Sequence, residues 1–568
     1  MRTVKYYLPI FLCAALAAFF CYFPITDTDI FWHLAAGREM VASGHFLYSD
    51  PFSFTLASPR WIDLHWLFQL IVYGLYLLGG LQALIWFKLA VVAFTSVLLC
   101  SAFRSMRYAF AGAFLCAVLF YEARYLVCER PVLITLLCMS SYIFLFERVK
   151  QGARTSSLWI CVPLQVIWTN SQGLYPIGIF IIGAYWIEAM FDAGQTGRRE
   201  KWTGKLLLNA YTPILMACSL ACLLNPYGIS GLLLPFTLFA RIAPAAQNLY
   251  SLNISENVPL LALTGFEAGY RTAVVGTAVV TCILFFVNRR NARPAHLVLF
   301  LGFLGLAYSA VRNVLLYFVI IVPIVGYNVM LLEAWSRAAG LGRTAKRLAA
   351  LLGAAAAAAI LWLPVANHAA VVAACPPHRT LSPFRFPEKI TEYLKANPVE
   401  GEMFNDIRYG GYLIWELYPH KRVFADGRLV IRQPQFFADY LAICDQPELF
   451  FFAAGKFNVT HVIVPSAIFT QYRRLIARLC ASNEWHLEYT DGSSFLIVKN
   501  SASKRPAINL ADTAAATAIA DSICGQWRDA PYVRREALGY FADMLGYLGF
   551  MRSAEKVRGK TIILEAQK

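Results

Sequence analysis

The sequence predicts an α-helical polytopic membrane protein with a C-terminal soluble α/β domain and a short helical tail. Of the 568 residues, 58% are hydrophobic and only 15% are charged, and the mean hydropathy is +0.53. Apolar runs of membrane-spanning length recur from residue 6 to residue 366. After residue 374 the composition becomes that of a water-soluble protein. These observations predict a transmembrane domain at 1–374, an α/β domain at 375–504 and a helical tail at 505–568.

About eleven apolar runs are predicted to span the membrane, and the basic residues between them orient the chain. With the N-terminus inside, every inner connection carries lysine or arginine, as the positive-inside rule requires. Because most of the net charge of +16 lies in these clusters, we expect no nucleic-acid partner. The predicted spans lie near 6–24, 81–103, 108–121, 131–147, 156–170, 174–191, 206–224, 272–287, 295–311, 314–332 and 348–366.

Two apolar segments have alternative interpretations. If Trp61–Gly80 crossed the membrane, all later basic clusters would face outward. It is therefore predicted to be a re-entrant or interfacial helix within a first outer loop at 25–80. Residues 1–24 could instead be a signal peptide, since Ala15-Leu16-Ala17 resembles a cleavage site. The apolar run continues to Phe23, however, which favours a retained span.

The predicted outer loops contain the polar residues that can carry chemistry. The first loop places Asp27 and Asp29 directly after the first span, followed by Trp32 and His33. Ionisable side chains at a membrane boundary are costly, so they indicate function. The other candidates in these loops are Asp50, Asp63, His65, Arg124, Glu129, Arg130, Asn170, Gln172, Arg312 and Asn313. All of them fall on one predicted face.

A face with several carboxylates and arginines suits a ligand that has a phosphate at the interface and a lipid tail in the bilayer. Arginine offers phosphate oxygens a planar, permanently charged fork. A carboxylate can take a proton from an attacking hydroxyl or hold a divalent metal. Polyprenyl-phosphate-linked sugars fit this description. The expected partners are therefore membrane lipid, a lipid-linked sugar, and a glycan, lipid or protein acceptor.

Several motifs add a family resemblance over roughly residues 1–500. They are Asp27-x-Asp29-x-x-Trp32-His33-Leu34-x-x-Gly37, Ser49-Asp50-Pro51-Phe52-Ser53, Trp61 to Trp66-Leu67, Arg130-Pro131, Trp168-x-Asn170-x-x-Gly173, Asn225-Pro226-Tyr227-Gly228, Arg312-Asn313 and Gly410-Gly411-Tyr412-Leu413. With the topology, they resemble the GT-C glycosyltransferase superfamily of oligosaccharyltransferases, protein O-mannosyltransferases and aminoarabinose transferases, and a bacterial inner-membrane group related to it.

The resemblance implies a multi-pass glycosyltransferase (EC 2.4 class) of the bacterial inner membrane, with a cytoplasmic N-terminus and a periplasmic C-terminal domain. Asp27 or Asp29 would act as general base or as ligand of a divalent cation, Mg²⁺ or Mn²⁺, and the sequence does not decide between them. The donor phosphate would bind Arg124, Arg130 and Arg312. Supporting polar contacts would come from His33, Asp50, Asp63, His65, Glu129, Asn170, Gln172 and Asn313. Gln172 stands where a histidine is expected, which puts a histidine-dependent proton step there in question.

Each of these elements also has a structural interpretation. Asp-x-Asp occurs by chance, Arg130 and Arg312 could be snorkelling interfacial anchors, and His33 and His65 could be structural. Two other functional classes stay open. A transporter or lipid flippase would show an internal repeat and polar residues on both sides, whereas the signal here is one-sided. A non-catalytic scaffold with an outer interaction domain would leave the clustered charges unexplained.

The C-terminal domain is predicted from alternating strand and helix patterns. The predicted strands are Met403–Ile407, Arg422–Ala425, Val459–Pro465 and Phe495–Lys499, with helices near Pro387–Ala396, Gly411–Leu417 and Phe469–Ala481. The Asp-Gly pairs at residues 426 and 491 are interpreted as turns. The tail resembles a single tetratricopeptide-like hairpin that packs on this domain and could dock a protein partner. Cys375, Cys444, Cys480 and Cys524 could pair, but their spacing specifies no connectivity.

Overall fold

The structure is a computed structural model in which two compact units can be distinguished. It describes residues 2–56, 60–195, 209–242, 249, 253–338, 343–375, 379–428, 431–467 and 470–566. The helical unit contains Met1–Phe23 and Ile62–Ala370, and the sheet unit contains Pro24–Trp61 and Val371–Lys568. The sequence predicts that residues 25–61 belong to the first outer loop of the transmembrane domain. The contacts group them with the C-terminal residues instead, because their backbone hydrogen-bonds there.

Helices dominate both units. In chain order they are α1 (Arg2–Phe20), α2 (Asp29–Ser43), α3 (Trp66–Cys100), α4 (Met106–Ala123), α5 (Val132–Lys150), α6 (Cys161–Thr169), α7 (Pro176–Gln195), α8 (Thr212–Ala221), α9 (Gly228–Ile242), α10 (Ala268–Val287), α11 (Pro294–Ser309), α12 (Val314–Ala338), α13 (Arg343–Ala374), α14 (Glu388–Ala396), α15 (Gly410–Leu417), α16 (Pro434–Asp445), α17 (Pro447–Phe457), α18 (Arg473–Cys480), α19 (Thr513–Gln526), α20 (Pro531–Tyr547) and α21 (Met551–Ala566).

Within the described residues, six helices are long and apolar enough to cross a membrane. They are Trp66–Cys100, Met106–Leu126, Val132–Lys150, Ala268–Val287, Val311–Leu332 and Ala355–Ala374. Each predicted span contains a helix, but several are short: α8 has ten residues, and α6 has nine after a 3-10 segment. The count of eleven therefore stays a prediction. The predicted residues 206–208 and Phe469 lie outside the described residues.

The long helix α3 is two helices joined at a glycine pair. Gly79 and Gly80 have non-helical backbone angles, and Gly80 adopts φ +61°, which glycine tolerates best. The segment Trp66–Leu78 is thereby separated from the apolar helix that follows. This geometry is compatible with an interfacial segment preceding a span, and the membrane position of residues 61–80 remains a prediction.

Hydrogen bonds join predicted inner connections at one end of the helical unit. Tyr6 donates to the carbonyl of Phe103 at 2.9 Å, and the backbone N–H of Arg104 donates to the Gln151 side chain at 3.0 Å. Arg293, just before α11, pairs with Glu147 near the end of α5. We call this the basic end. At about 1.5 Å per residue, the 19 residues of α5 place it about 28 Å from the start of that helix.

The sheet unit contains a four-stranded mixed sheet. Its strands are β1 (Glu402–Asn405), β2 (Val459–Pro465), β3 (Trp485–Thr490) and β4 (Ser494–Lys499), in the order β1-β2-β4-β3. β1 and β2 are parallel, and the other two pairs are antiparallel. The predicted strand Arg422–Ala425 is corrected to a single parallel bridge between Val423 and Ser53.

The helical tail shares a hydrophobic core with this sheet. Phe495 and Ile497 of β4 belong to the same buried cluster as Phe541 of α20 and Val557 of α21. The tail therefore packs on the α/β domain through three helices, which together bury what one hairpin could not. Cys375, Cys444, Cys480 and Cys524 are free thiols.

Candidate functional site

The acidic segment of the first loop begins α2 in the sheet unit. Ile25 is fixed by backbone bonds to Thr380 and Ser382, at 2.8 and 2.9 Å. Asp27 is buried, and its Oδ1 accepts the backbone N–H of Asp29 at 3.1 Å. This short loop shapes the start of the helix. Asp29 is half-buried at the first helical position, where a negative charge is favoured by the helix dipole.

Two glycine sites bring the C-terminal residues against this segment. At Gly411, a Cβ would lie 2.6 Å from the carbonyl oxygen of Thr28, which is too close for any side chain. At Gly427, a Cβ would overlap Oδ1 of Asp29. The Gly410-Gly411 motif and the Asp426-Gly427 turn therefore allow the backbone to approach the acidic pair closely.

Asp50 is held in a buried ion-pair cluster. The Arg428 guanidinium donates to Asp426 at 2.8 Å, and its Nη1 forms an ion pair with Oδ1 of Asp50, also at 2.8 Å. The same guanidinium lies 4.7 Å from the Trp61 ring centre. Asp50 also accepts the backbone N–H of Phe52 at 3.0 Å. Although burial opposes its charge, the two carboxylates raise the pKa of Arg428, and Arg428 in turn lowers the pKa of Asp426 against the effect of burial. These contacts account for Asp50 by a structural role.

His33 lies inside the sheet unit, beside Trp32. It is 2% exposed, and its ring centre is 3.6 Å from that of Trp32. Trp32 is itself buried, at 6.3 Å from Trp61. This packing agrees with the structural interpretation of His33.

In the helical unit, the last part of the first predicted outer loop contacts the third predicted outer loop. Nε2 of His65 lies 3.2 Å from Oε1 of Gln172, and Nδ1 of His65 lies 3.6 Å from Asp63. Trp66 donates to the Asn170 side chain at 2.8 Å, and Asn170 donates to the carbonyl of Leu224 at 2.8 Å. The structure thus brings together Asp63, His65, Asn170 and Gln172, which are predicted from the sequence to lie on one face. Gln172 acts as an acceptor where a histidine was expected.

Two predicted phosphate-binding arginines lie around one glutamate. Arg130 pairs with Glu256, and Arg312 lies within electrostatic range of both. A backbone bond of 3.0 Å from Val311 to Val258 holds the Arg312 segment against the Glu256 segment. We call these three residues the arginine cluster. Asn313 is separate in role, because its amide donates to the Leu306 carbonyl at the end of α11.

Arg124 has a different environment. It is buried, and its guanidinium stacks 3.9 Å from the Tyr121 ring and 4.5 Å from the Tyr125 ring. Glu122 lies within its electrostatic range. Arg124 therefore contacts aromatic rings rather than the Arg130–Glu256 pair.

Lys88, the partner of Glu129, was not among the residues predicted from the sequence. Nζ of Lys88 lies 2.8 Å from Glu129 and 3.9 Å from the Phe23 ring centre, and both charged side chains are buried. A lysine within the apolar run 81–103 is itself a signal, because charged residues inside spans are rarely neutral to function. Arg428 was missed because its neighbours form an ordinary Asp-Gly turn.

Comparison with known proteins found a similarity in fold but none in sequence. No family model matches the chain, and no curated protein matches it in sequence. The structure is similar to the archaeal oligosaccharyltransferase AglB from Archaeoglobus fulgidus, solved in complex with an inhibitory peptide and a dolichol-phosphate. The TM-score is 0.59 at 10% sequence identity, over 90% of this chain and 76% of that chain. The chain therefore has a fold similar to that of this oligosaccharyltransferase.

Proposed function

We propose that the chain is a membrane glycosyltransferase that moves a sugar from a polyprenyl-phosphate donor to an acceptor at the outer face of the bacterial inner membrane. The observation that carries the proposal is the fold similarity over 90% of the chain to an oligosaccharyltransferase whose structure contains a lipid phosphate and a peptide. The apolar helices and the arginine cluster support it. The donor sugar and the acceptor are left open.

The arginine cluster is our candidate for binding the donor phosphate. Arg130 and Glu256 are both partly exposed, so their ion pair contributes only about 0–1 kcal/mol. A phosphate can therefore replace the carboxylate at Arg130 at little cost. Two guanidinium groups would then stabilise the charge that develops on the leaving phosphate.

Asp29 is our candidate for the general base. Oδ1 of Asp27 accepts a backbone N–H, so we assign Asp27 the positioning of the segment. The Asp29 carboxylate would take the proton of the acceptor hydroxyl or amide. At the same time the acceptor oxygen or nitrogen forms a bond to the anomeric carbon. The bond from that carbon to the phosphate oxygen breaks, and its electrons leave with the phosphate. Inversion at the sugar follows from the family resemblance.

We also propose the acidic pair as the site of a divalent cation. Mg²⁺ and Mn²⁺ prefer oxygen ligands, and Asp27 and Asp29 are the carboxylates that would hold such an ion. Bound there, the cation would supply positive charge as a Lewis acid.

The experiment measures release of polyprenyl phosphate by the purified full chain from a panel of polyprenyl-phosphate sugars. We expect Asp29→Asn to lose transfer by at least about 100-fold. Asp27→Asn keeps the Oδ1 acceptor and should lose less. Asp439→Asn, an exposed carboxylate of α16, is the control and should keep full activity. Full release by the Asp27→Asn/Asp29→Asn double variant would refute the proposal.

A further inference from the structure

Three cysteines from three helices converge inside the helical unit. Cys13 of α1, Cys100 of α3 and Cys116 of α4 are at most 2% exposed, and their Sγ atoms all lie within 4.8 Å of one another. Sγ of Cys100 is 3.9 Å from Sγ of Cys13. Within the part of the chain that the structure describes, this is the one group of three or more His, Cys, Asp or Glu side chains so arranged.

This spacing is that of a three-coordinate thiolate site. A metal with bonds of about 2.3 Å to three sulfurs in a plane holds those sulfurs about 4 Å apart. The observed sulfur separations require only small side-chain movements to reach it. No large cavity is needed, because the ion occupies the space between the three sulfurs.

We propose that Cys13, Cys100 and Cys116 form a binding site for a soft metal ion, Cu(I). Sulfur ligands select soft cations, whereas Mg²⁺ and Mn²⁺ require oxygen ligands. The site is therefore chemically distinct from a cation site at Asp27 and Asp29. Binding displaces the S–H protons of the coordinating thiols, which go to solvent, and forms Cu–S bonds without any change in oxidation state.

The ion would cross-link the helices that carry its ligands. Cys13 and Cys100 are 87 residues apart in the chain, so the site exists only when α1 packs against α3 and α4. Binding to the folded chain alone stabilises it by mass action. We therefore expect Cu(I) to raise the unfolding temperature of the full chain.

The test titrates the detergent-purified full chain with Cu(I), under a phosphine reductant and in competition with bicinchoninate. We expect the natural chain to bind about one equivalent more than the Cys13→Ala/Cys100→Ala/Cys116→Ala variant. Cys161→Ala removes a buried cysteine of α6 outside the cluster and should bind like the natural chain. Equal binding by the natural chain and the triple variant would overturn the proposal.

If the triple variant does not fold, X-ray absorption spectroscopy of the natural chain and of a single-cysteine variant tests the site instead. The extended fine structure above the copper absorption edge of the loaded natural chain should show three sulfur neighbours at about 2.3 Å. The conservative Cys116→Ser variant should show two. An identical spectrum for both proteins would place the ion elsewhere and overturn the proposal.

Discussion

The basic end of the helical unit and its arginine cluster are both built from ion pairs, but they differ in burial. At the basic end, the Glu147 side chain is fully buried and Arg293 is 11% exposed. Glu147 also accepts from Tyr185 at 2.6 Å and lies 2.9 Å from His296. In the arginine cluster, the side chains of Arg130 and Glu256 are 29% and 38% exposed.

The difference separates charges that hold the fold from charges that can bind a ligand. A buried pair cannot change partners without leaving an unpaired charge in a low dielectric. A partly exposed pair exchanges its partner for water or phosphate at small cost. The arginine cluster is therefore suited to ligand binding, whereas the basic end is suited to fixing α5, α7 and α11.

The largest expected effect is at the basic end. Glu147→Ala leaves His296 without its carboxylate and Arg293 with Glu188 alone. Because Arg293 keeps one partner, we expect a loss of about 3 kcal/mol in the free energy of unfolding, at the lower end for a broken buried pair. Thermal unfolding in detergent measures it. Asp192→Ala is the control, because this carboxylate pairs with Lys150 but is 58% exposed. A Glu147→Ala variant as stable as the Asp192→Ala variant would contradict the distinction.

A packing change in the sheet unit should reduce activity nearly as strongly. In Gly427→Ala the new Cβ displaces the Asp29 carboxylate, and a misplacement of about 1 Å can cost about 100-fold in rate. Initial rates of polyprenyl-phosphate release measure this. Gly455→Ala in α17 has open space around its Cβ and should keep its rate. If both variants have the natural rate, Asp29 is not the base.

The arginine cluster should affect binding without affecting the fold. Arg130→Ala and Arg312→Ala each remove charged hydrogen bonds to phosphate, so we expect about 10-fold weaker binding of a polyprenyl phosphate in each. Binding can be measured by native mass spectrometry, with thermal unfolding unchanged. Arg289→Ala removes an exposed arginine at the basic end and should bind normally. Equal weakening by Arg289→Ala would mean that net charge, not this site, binds the lipid.

The smallest effect is expected at the acidic member of the cluster. Glu256→Gln should change the free energy of unfolding by less than about 1 kcal/mol, because the pair is partly exposed. Phosphate affinity should stay the same or rise, since a competing carboxylate is lost. A stability loss as large as that of Glu147→Ala would erase the contrast between the two regions.

Most helices of the helical unit were predictable because long apolar runs in the sequence directly indicate membrane-spanning helices. Strand β2 has the predicted bounds Val459–Pro465, because it is rich in β-branched residues and ends at a proline. Strand β3 was not predicted, although Trp485, Leu487 and Tyr489 alternate with polar residues as in a half-buried strand. The grouping of residues 24–61 with the C-terminal residues could not be predicted, since long-range hydrogen bonds such as Val423 N–H to the Phe52 carbonyl leave no local signal.

The candidate site was predictable only in part. Topology placed His65, Asn170 and Gln172 on one face, and the structure brings them together. Charge partners could not be predicted, because the Lys88–Glu129 and Arg428–Asp50 pairs join distant parts of the chain. Such pairs depend on packing rather than on any local motif.

The most direct test is a cryo-electron microscopy map of the full chain with bound polyprenyl phosphate. We expect phosphate density against the guanidinium groups of Arg130 and Arg312, with Glu256 displaced from Arg130. The basic end around Arg293 should be unchanged. Phosphate density at the basic end, with the Arg130–Glu256 pair intact, would contradict this expectation.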